Sequence, residues 1–405
     1  MSELGPIFRA LLRNKVGALL LALQIAVTMT IMVNAIHMIE NRSSLMARPS
    51  GLDEANQFYL SSTGYAQDFN EQLVVEEDLR LIRQLPGIVD ATQINAIPLS
   101  NGGWSMGLSV EPGEEARGSG IAVYFVDDNG INTLDVELIA GRNFSAAEIG
   151  YREANDTQWP QNIIITEAAA KELFPDLNLN ETVGKTVYIN NDEPMTIIGI
   201  IDQLQAPWVG WSAVERVMLV PQRTLFGSSR YFIRTEPGQR DAMIKATEQL
   251  LLDRDVGRLI RNVRTMEETR ADSYRGHQAL QTILWVIVTV LTIITALGIV
   301  GMVTFSVNRR RKQIGTRRAL GATRWQIIRH FLVENALVTS CGLILGVGSS
   351  IALNIWLVDL FSLPRVGWHY LPIAMAVLLV VGQLAVLGPA RRAAAISPAL
   401  ATRSA

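Results

Sequence analysis

Ser105 stands between Gly103 and Gly107 in the order Gly-Trp-Ser-Met-Gly. That is the spacing of a nucleophile elbow, in which a strand delivers the serine to a sharp turn and a helix carries the chain away. Here Leu108 to Gly113 reads as a strand and a turn where the helix must start, and the later histidines, His277, His330 and His369, fall outside this part of the chain. Gly184-Lys185-Thr186 ends like a phosphate-binding loop, but Leu179 occupies the place of the first glycine and a strand is expected next. His330 and Glu334 are one helical turn apart but lack the second histidine of a zinc-protease helix. With one cysteine, Cys341, and four scattered histidines, His37 included, neither an intramolecular disulfide nor a zinc cluster can be built. The expectation is a chain with no catalytic, cofactor-binding or metal-ligating residues.

A different kind of chemistry is written in Arg309 to Phe331, RRRKQIGTRRALGATRWQIIRHF, which holds eight basic residues and no acid. Ile314 to Leu320 can form a short helix, Gly321 suits its C-terminal cap, and Thr323 with Gln326 fits a capping box opening a second helix. Trp325, Ile327, Ile328 and Phe331 are expected along the membrane interface. A short rigid helix at a tight corner just under a membrane is suited to receive force from a soluble motor.

The elements that must position this corner are long apolar runs. The 405 residues are 49% hydrophobic and only 18% charged, against about 25% charged in an average soluble domain, which argues against an ordinary cytosolic enzyme. The net charge of −2 gives no reason to expect a nucleic-acid partner. Val16 to Ile39 is free of charge over 24 residues, and Leu280 to Val307, Phe331 to Leu357 and Leu371 to Ala390 are three further candidates, where about 20 residues cross a bilayer core. The first is too long for a signal-peptide core and lacks a small-x-small cleavage site. Small residues in the third, Gly342, Gly346, Gly348, Ser349 and Ser350, allow close helix approach in lipid. Glu334 near its start, one turn after Arg329 and His330, reads as a structural carboxylate at the membrane interface with a basic partner.

Charge fixes the expected orientation. The segments flanking the spans carry 14 positive residues, among them Arg9, Arg13, Lys15, Arg391, Arg392 and Arg403, against Glu3 alone, so they are expected in the cytoplasm together with both termini. The long loop after the first span, with 35 acids from Glu40 to Asp272 and 21 bases counted to Arg275, is net −14 and belongs on the other side.

That loop is long enough to fold on its own. A helix is expected near Val75 to Gln84, strands at Ile88 to Ile94, Ile121 to Val126 and Asn162 to Thr166, and a short helix from Glu167 to Phe174. Val183 to Asn190 and Pro194 to Ile201 flank Asn191-Asp192 as a hairpin. A strand from Tyr231 to Thr235, a helix from Gln239 to Leu252 and a strand near Leu259 to Val263 complete an α+β pattern. Leu99 to Ser109 and Gly113 to Gly120 read as exposed loops suited to meet a partner. Thr265 with Glu268 fits a capping box that opens a polar stalk helix running into the second span.

The run RRKQIGTRRALGATRWQIIRHFLVENALVTSCGLILGVG resembles the signature of the FtsX-like permease family in Ile314-Gly315, Arg317 to Thr323, Phe331 and Glu334. Pro389 to Ala394 with Ile396 and Pro398 is similar to that family's C-terminus. Gly141 to Ser145, Ile165 to Pro175 and Val183 to Lys185 resemble the MacB-type periplasmic core domain. The resemblance implies a mechanotransmission-type (type VII) ABC transporter permease without a fused nucleotide-binding domain. Four transmembrane helices would carry a large α+β extracytoplasmic domain between helices 1 and 2. It divides the chain into a cytoplasmic segment 1–15, a first span 16–39, a periplasmic core 40–264, a stalk 265–279, a second span 280–307 and a coupling segment 308–330. A third span 331–357, a short periplasmic loop 358–370, a fourth span 371–390 and a cytoplasmic tail 391–405 follow.

By that resemblance Ile314, Gly315, Arg317, Arg318, Ala319, Leu320, Gly321, Ala322 and Thr323 would couple to an ABC ATPase of MacB or LolD type. ATP and magnesium would be bound by that partner and no cofactor by this chain. A second permease, identical or paralogous, would complete a dimer in the lipid of a bacterial inner membrane. A periplasmic adaptor and an outer-membrane channel would make the assembly an efflux pump. Lipoprotein release and signalling to a cell-wall hydrolase are the alternatives that the resemblance leaves open.

Overall fold

The computed structural model describes residues 15–113, 118–190, 192–254, 256–361 and 365–397. Glu3, Arg9, Arg13, Asn191, Pro398, Arg403 and residues 114–117 of the expected Gly113 to Gly120 loop lie outside the described residues. The chain divides into two compact units, one of residues 45–276 and one formed by 1–44 with 277–405.

The first unit is built on two sheets. Strands β1 (Gln57–Gly64), β2 (Ile88–Gln93), β11 (Ser228–Thr235) and β12 (Arg258–Thr265) form an antiparallel sheet in the order β12-β1-β11-β2. Helices α2 (Glu71–Ile82) and α6 (Arg240–Asp253) supply Val75, Leu79, Ile82 and Leu251 to one core with Phe58, Leu60, Tyr231 and Ile233 from the sheet. The N-terminus of α2 is fixed by Asn70, whose side chain accepts from the Leu73 amide at 3.1 Å. Alternate residues Tyr59 and Phe232 go to a second core on the other side.

The larger sheet contains β3 (Trp104–Ser109), β4 (Ser119–Val126), β7 (Asn162–Thr166), β8 (Thr186–Ile189), β9 (Glu193–Ile201) and β10 (Val217–Leu225). Because β10 pairs with both β7 and β4, these six strands return on themselves, while β5 (Leu138–Gly141) and β6 (Gly150–Glu153) hang on β9 and β10. Alternation sorts the side chains: Ile121, Val123, Phe125, Ile163, Ile165 and Met218 pack into one cluster, and Ala122, Tyr124, Val126, Ile164 and Leu219 into another. Short helices α3 (Gly130–Leu134), α4 (Glu167–Leu173) and α5 (Leu179–Thr182) fill the connections.

Two buried carboxylates tie the elements together. Asp78 on α2 is fully buried and engages Arg254, Arg258 and the Tyr231 hydroxyl, the last at 2.7 Å. Asp127, equally buried, holds Arg83 at 2.8 Å and Arg223 at 2.9 Å. Each buried carboxylate meets two guanidinium groups, which is how a carboxylate can leave water without neutralising.

The structure departs from the sequence reading at Leu99 to Ser109. Residues 104–109 are strand β3, paired with β4 and β8, so the expected loop is only its first half. Ser105 therefore lies within a strand and not at a turn into a helix, which removes the nucleophile-elbow geometry.

Among the described residues four helices, lying wholly or mostly in the second unit, are long and apolar enough to cross a membrane: α1 (Lys15–Ala47), α7 (Met266–Arg309), α9 (Arg324–Phe361) and α10 (Tyr370–Ala394). The eight residues after Ile39, to Ala47, continue α1 as helix, and α7 is one uninterrupted helix whose start is set by the reciprocal Thr265–Glu268 capping box, both bonds 3.1 Å. Gly342 and Gly346 on α9 let α1 approach: a Cβ at Gly342 would lie 2.7 Å from the Ala22 carbonyl oxygen, and one at Gly346 2.9 Å from the Met29 Cβ. In lipid, where apolar burial between helices gains little, such close contact and interhelical hydrogen bonds hold a bundle. Thr28 and Thr295 share one of 2.8 Å, and Thr30 and Ser349 one of 2.5 Å.

Candidate functional site

The basic corner is the turn between α7 and α9. Helix α8 (Arg311–Ala319) starts after Arg310, whose backbone N–H closes α7 on the Ser306 carbonyl at 3.1 Å. Its C-terminus is a Schellman motif. Gly321, at φ +95°, donates to the Arg318 carbonyl at 3.2 Å, and Ala322 to that of Arg317 at 3.0 Å. Glycine is needed here because an L side chain rarely adopts this backbone conformation. Thr323 then opens α9. Its amide donates to Gln326 Oε1 at 2.8 Å and its Oγ1 accepts from the Gln326 amide at 3.2 Å. Two opposed caps thus fix a tight helix–turn–helix.

The corner has two sides. Ile314 (5% exposed) and Gly315 are buried, and Ile314 packs in the helical core with Ile327 and Phe331. Arg317, Ala319, Leu320, Gly321 and Thr323 are exposed, while Arg318 and Ala322 are half-buried. Leu320 at 84% and Trp325 at 63% are apolar side chains left uncovered within this unit. Ile327 and Phe331, expected with Trp325 and Ile328 along the membrane interface, face inward within this unit, one turn apart on the face that meets Ile314. Lys312, Arg317, Arg318 and Arg324 have no carboxylate partner among the described residues, so their charge projects from the corner.

Among the described residues Glu334 is the acid that meets this corner. Its Oε2 accepts from Arg310 Nη1 at 3.0 Å and lies 4.0 Å from His330 Nε2. Sequence proximity had pointed to Arg329 and His330. Arg310 reaches it because α8 folds the chain back, a relation no helical spacing reveals. Glu334 also borders a cavity of about 20 Å³ with Ser306 and Asn335.

In the first unit the run Gly141 to Ser145 forms its own rigid corner. A Cβ on Gly141, at φ +76°, would come 2.2 Å from the Ile198 carbonyl oxygen. Arg142 grips Glu148 with two hydrogen bonds of 2.8 Å, and Phe144 is buried. The Arg142 guanidinium, aided by Ser145 and Asn162, holds the Glu148 carboxyl far below its ordinary range. Gly184, at φ +86°, is a turn into strand β8 and has no helix after it. Among the described residues no group of three His, Cys, Asp or Glu side chains could hold a metal ion.

The model of the MacB-like periplasmic core domain matches residues 16–250, more than half of the chain, and that of the FtsX-like permease C-terminal region matches residues 285–398. The chain belongs to the MacB/FtsX-type ABC transporter permeases. Among relatives of this permease, the uncharacterized ABC transporter permease YvrN of Bacillus subtilis (strain 168) is 23% identical over 381 residues, covering 88% of each chain. The macrolide export ATP-binding/permease protein MacB of Chromobacterium violaceum is 26% identical over 277 residues, which are 65% of this chain and 40% of that protein. The permease thus spans well under half of that relative. The solved periplasmic region of MacB from Actinobacillus actinomycetemcomitans aligns with 54% of this chain and 94% of its own, at 15% identity and a TM-score of 0.34. Four apolar helices with a large α+β MacB-like domain inserted after the first fit an inner-membrane protein.

Proposed function

We propose that this permease turns ATP hydrolysis on a partner ATPase into movement of its extracytoplasmic domain, and so drives export. The observation that carries the proposal is the two-sided corner at α8. Ile314 anchors it in the helical core while Arg317, Leu320 and Gly321 stay exposed on a basic, acid-free face. Such a face suits docking on an acidic groove of a soluble motor, where the exposed Leu320 would be covered. Positive-inside bias supports a cytoplasmic location for the corner and both termini. Displacement of α8 is then handed to α7, which is a single helix from Met266 to Arg309.

The relative MacB bears the description of a macrolide export protein, which supports export as the direction of work. ATP and magnesium would sit on the ATPase, and the permease would contribute no catalytic step. A second permease copy or a paralogue, a periplasmic adaptor and an outer-membrane channel would complete the pump. The test is the double reversal Arg317→Glu with Arg318→Glu in the full chain. It should abolish co-purification of the ATPase and permease-dependent ATP turnover, while Arg317→Lys with Arg318→Lys keeps both. Wild-type pull-down and turnover in the reversed variant would place the docking surface elsewhere.

A further inference from the structure

The domain of residues 45–276 has a cleft of about 470 Å³ lined by Tyr59, Ser61, Asn95, Trp104, Arg230 and Arg264. That volume is within the range of small-molecule sites, roughly 300–1,000 Å³. Its charge is unusual for this domain. Nearly every described arginine of the domain has a carboxylate within 4.0 Å, Arg264 included, which meets Asp272 at 2.8 Å. The described exceptions are Arg152, Arg230 and Arg261. Arg152 is sandwiched against Trp159 and Phe125, and Arg261 is exposed on the outermost strand β12. Arg230 is the exception that lines the cleft.

Arg230 is held in place nonetheless. Its Nη1 donates to the Asn95 carbonyl, and Asn95 is itself fixed at both ends of its side chain, donating to the Val123 carbonyl at 3.1 Å and accepting from the Phe125 amide at 2.9 Å. A guanidinium has five N–H donors, so most of the fork remains available. Beside it, Trp104 is stacked on Phe226 (5.7 Å, 15°) and set edge-on to Phe125 (5.4 Å), yet remains 39% exposed. The connecting loop is strained and pinned. Leu99 is fully buried at φ +66° with its carbonyl accepting from Ser273, and the Asn101 amide donates to Pro207 at 2.9 Å. A Cβ at Gly103 would strike Pro207 Cγ at 2.4 Å. A fixed, unneutralised cation next to a fixed aromatic ring is a preorganised receptor for a flat anion.

We propose that this cleft binds a small organic anion, a carboxylate or phosphate monoester on a flat apolar body, with Arg230 taking the charged group and Trp104 the flat portion. The proposal is independent of the export reading, because it concerns binding to the permease alone. The test is calorimetric titration of the full chain in lipid nanodiscs, with empty nanodiscs as reference. The probes are indole-3-acetate, its neutral counterpart indole-3-acetamide, and phenyl phosphate. At least one of the two anions should bind in the millimolar range or tighter, and the one that binds more tightly names the charged group. The neutral amide should bind about tenfold or more weakly, the scale of one lost charge-assisted hydrogen bond.

Arg230→Gln should cost the anion a similar factor, and Arg230→Lys less. Ser61 is the cross-strand partner of Arg230, so Ser61→Glu should abolish anion binding by supplying a carboxylate in place. The glutamate variant reports on the same charge without removing the arginine, so the two need not share a folding defect. Failure of both anions to bind, equal binding of acetate and acetamide, or wild-type affinity in Arg230→Gln would each overturn the assignment.

Discussion

Arg310 and Glu334 are 24 positions apart and meet at 3.0 Å, which joins the start of helix α8 to the side of α9. The carboxylate is 12% exposed and the guanidinium 22%, so water screens the pair only in part. With Ile314 buried on the same side, the pair ties the start of α8 to the helical bundle.

Glu334→Gln keeps the shape and removes the charge. It should lower stability by about 1–3 kcal/mol, the cost of losing one charge-assisted hydrogen bond at a partly buried site. A thermal melt of the purified full chain checks this, and the exchange Arg310→Glu with Glu334→Arg should recover part of the loss. A melt unchanged in Glu334→Gln would mean that apolar packing alone holds the corner.

Asp78→Asn should be the more damaging change, by about 3–5 kcal/mol, because Arg254 and Arg258 then keep their charge with no carboxylate between them. Hydrogen exchange should report the loss first in helix α2 and strand β12, which the three side chains connect. Protection unchanged in both elements would contradict the role given to this cluster.

Glu148 makes a prediction about pH. Arg142 holds its folded-state pKa well below the ordinary 4.5, so the carboxylate stabilises the fold at every pH above that ordinary value. The contribution is lost as pH falls below it toward the folded value. Arg142 is half exposed, which limits the effect at neutral pH to about 1 kcal/mol or less. Melts of wild type and Glu148→Gln should therefore differ most near pH 7, and the gap should narrow steadily as pH falls below about 4. A gap that widens in acid would reverse the assignment.

What was legible in the sequence follows from what local physics controls. The four apolar helices, the capping boxes at Thr265–Glu268 and Thr323–Gln326, and strand Asn162–Thr166 are set by composition or by residues a few positions apart. Strand β1 is hidden in the sequence because the apolar run of QFYLSSTG stops after Phe58, Tyr59 and Leu60, and Ser61 and Ser62 are buried only by neighbouring elements. Strand β10 is hard to read in the sequence because it carries Pro221, a residue that argues against a strand interior. Pro221 is tolerated where β10 changes its parallel partner from β4 to β6. At the corner, Ile314 to Thr323 could be read as helix, glycine cap and new helix, whereas the meeting of Arg310 with Glu334 depends on how the corner folds back.

For a motor to reach it, this corner must face the cytoplasm. Cys341 is the chain's one cysteine, so Cys341→Ser with Leu320→Cys places a single thiol on the most exposed apolar residue of the corner. A membrane-impermeant maleimide should label it in inside-out vesicles and in permeabilised cells, and leave it unmodified when added to intact cells with an opened outer membrane. Labelling from the outer face alone would contradict the account.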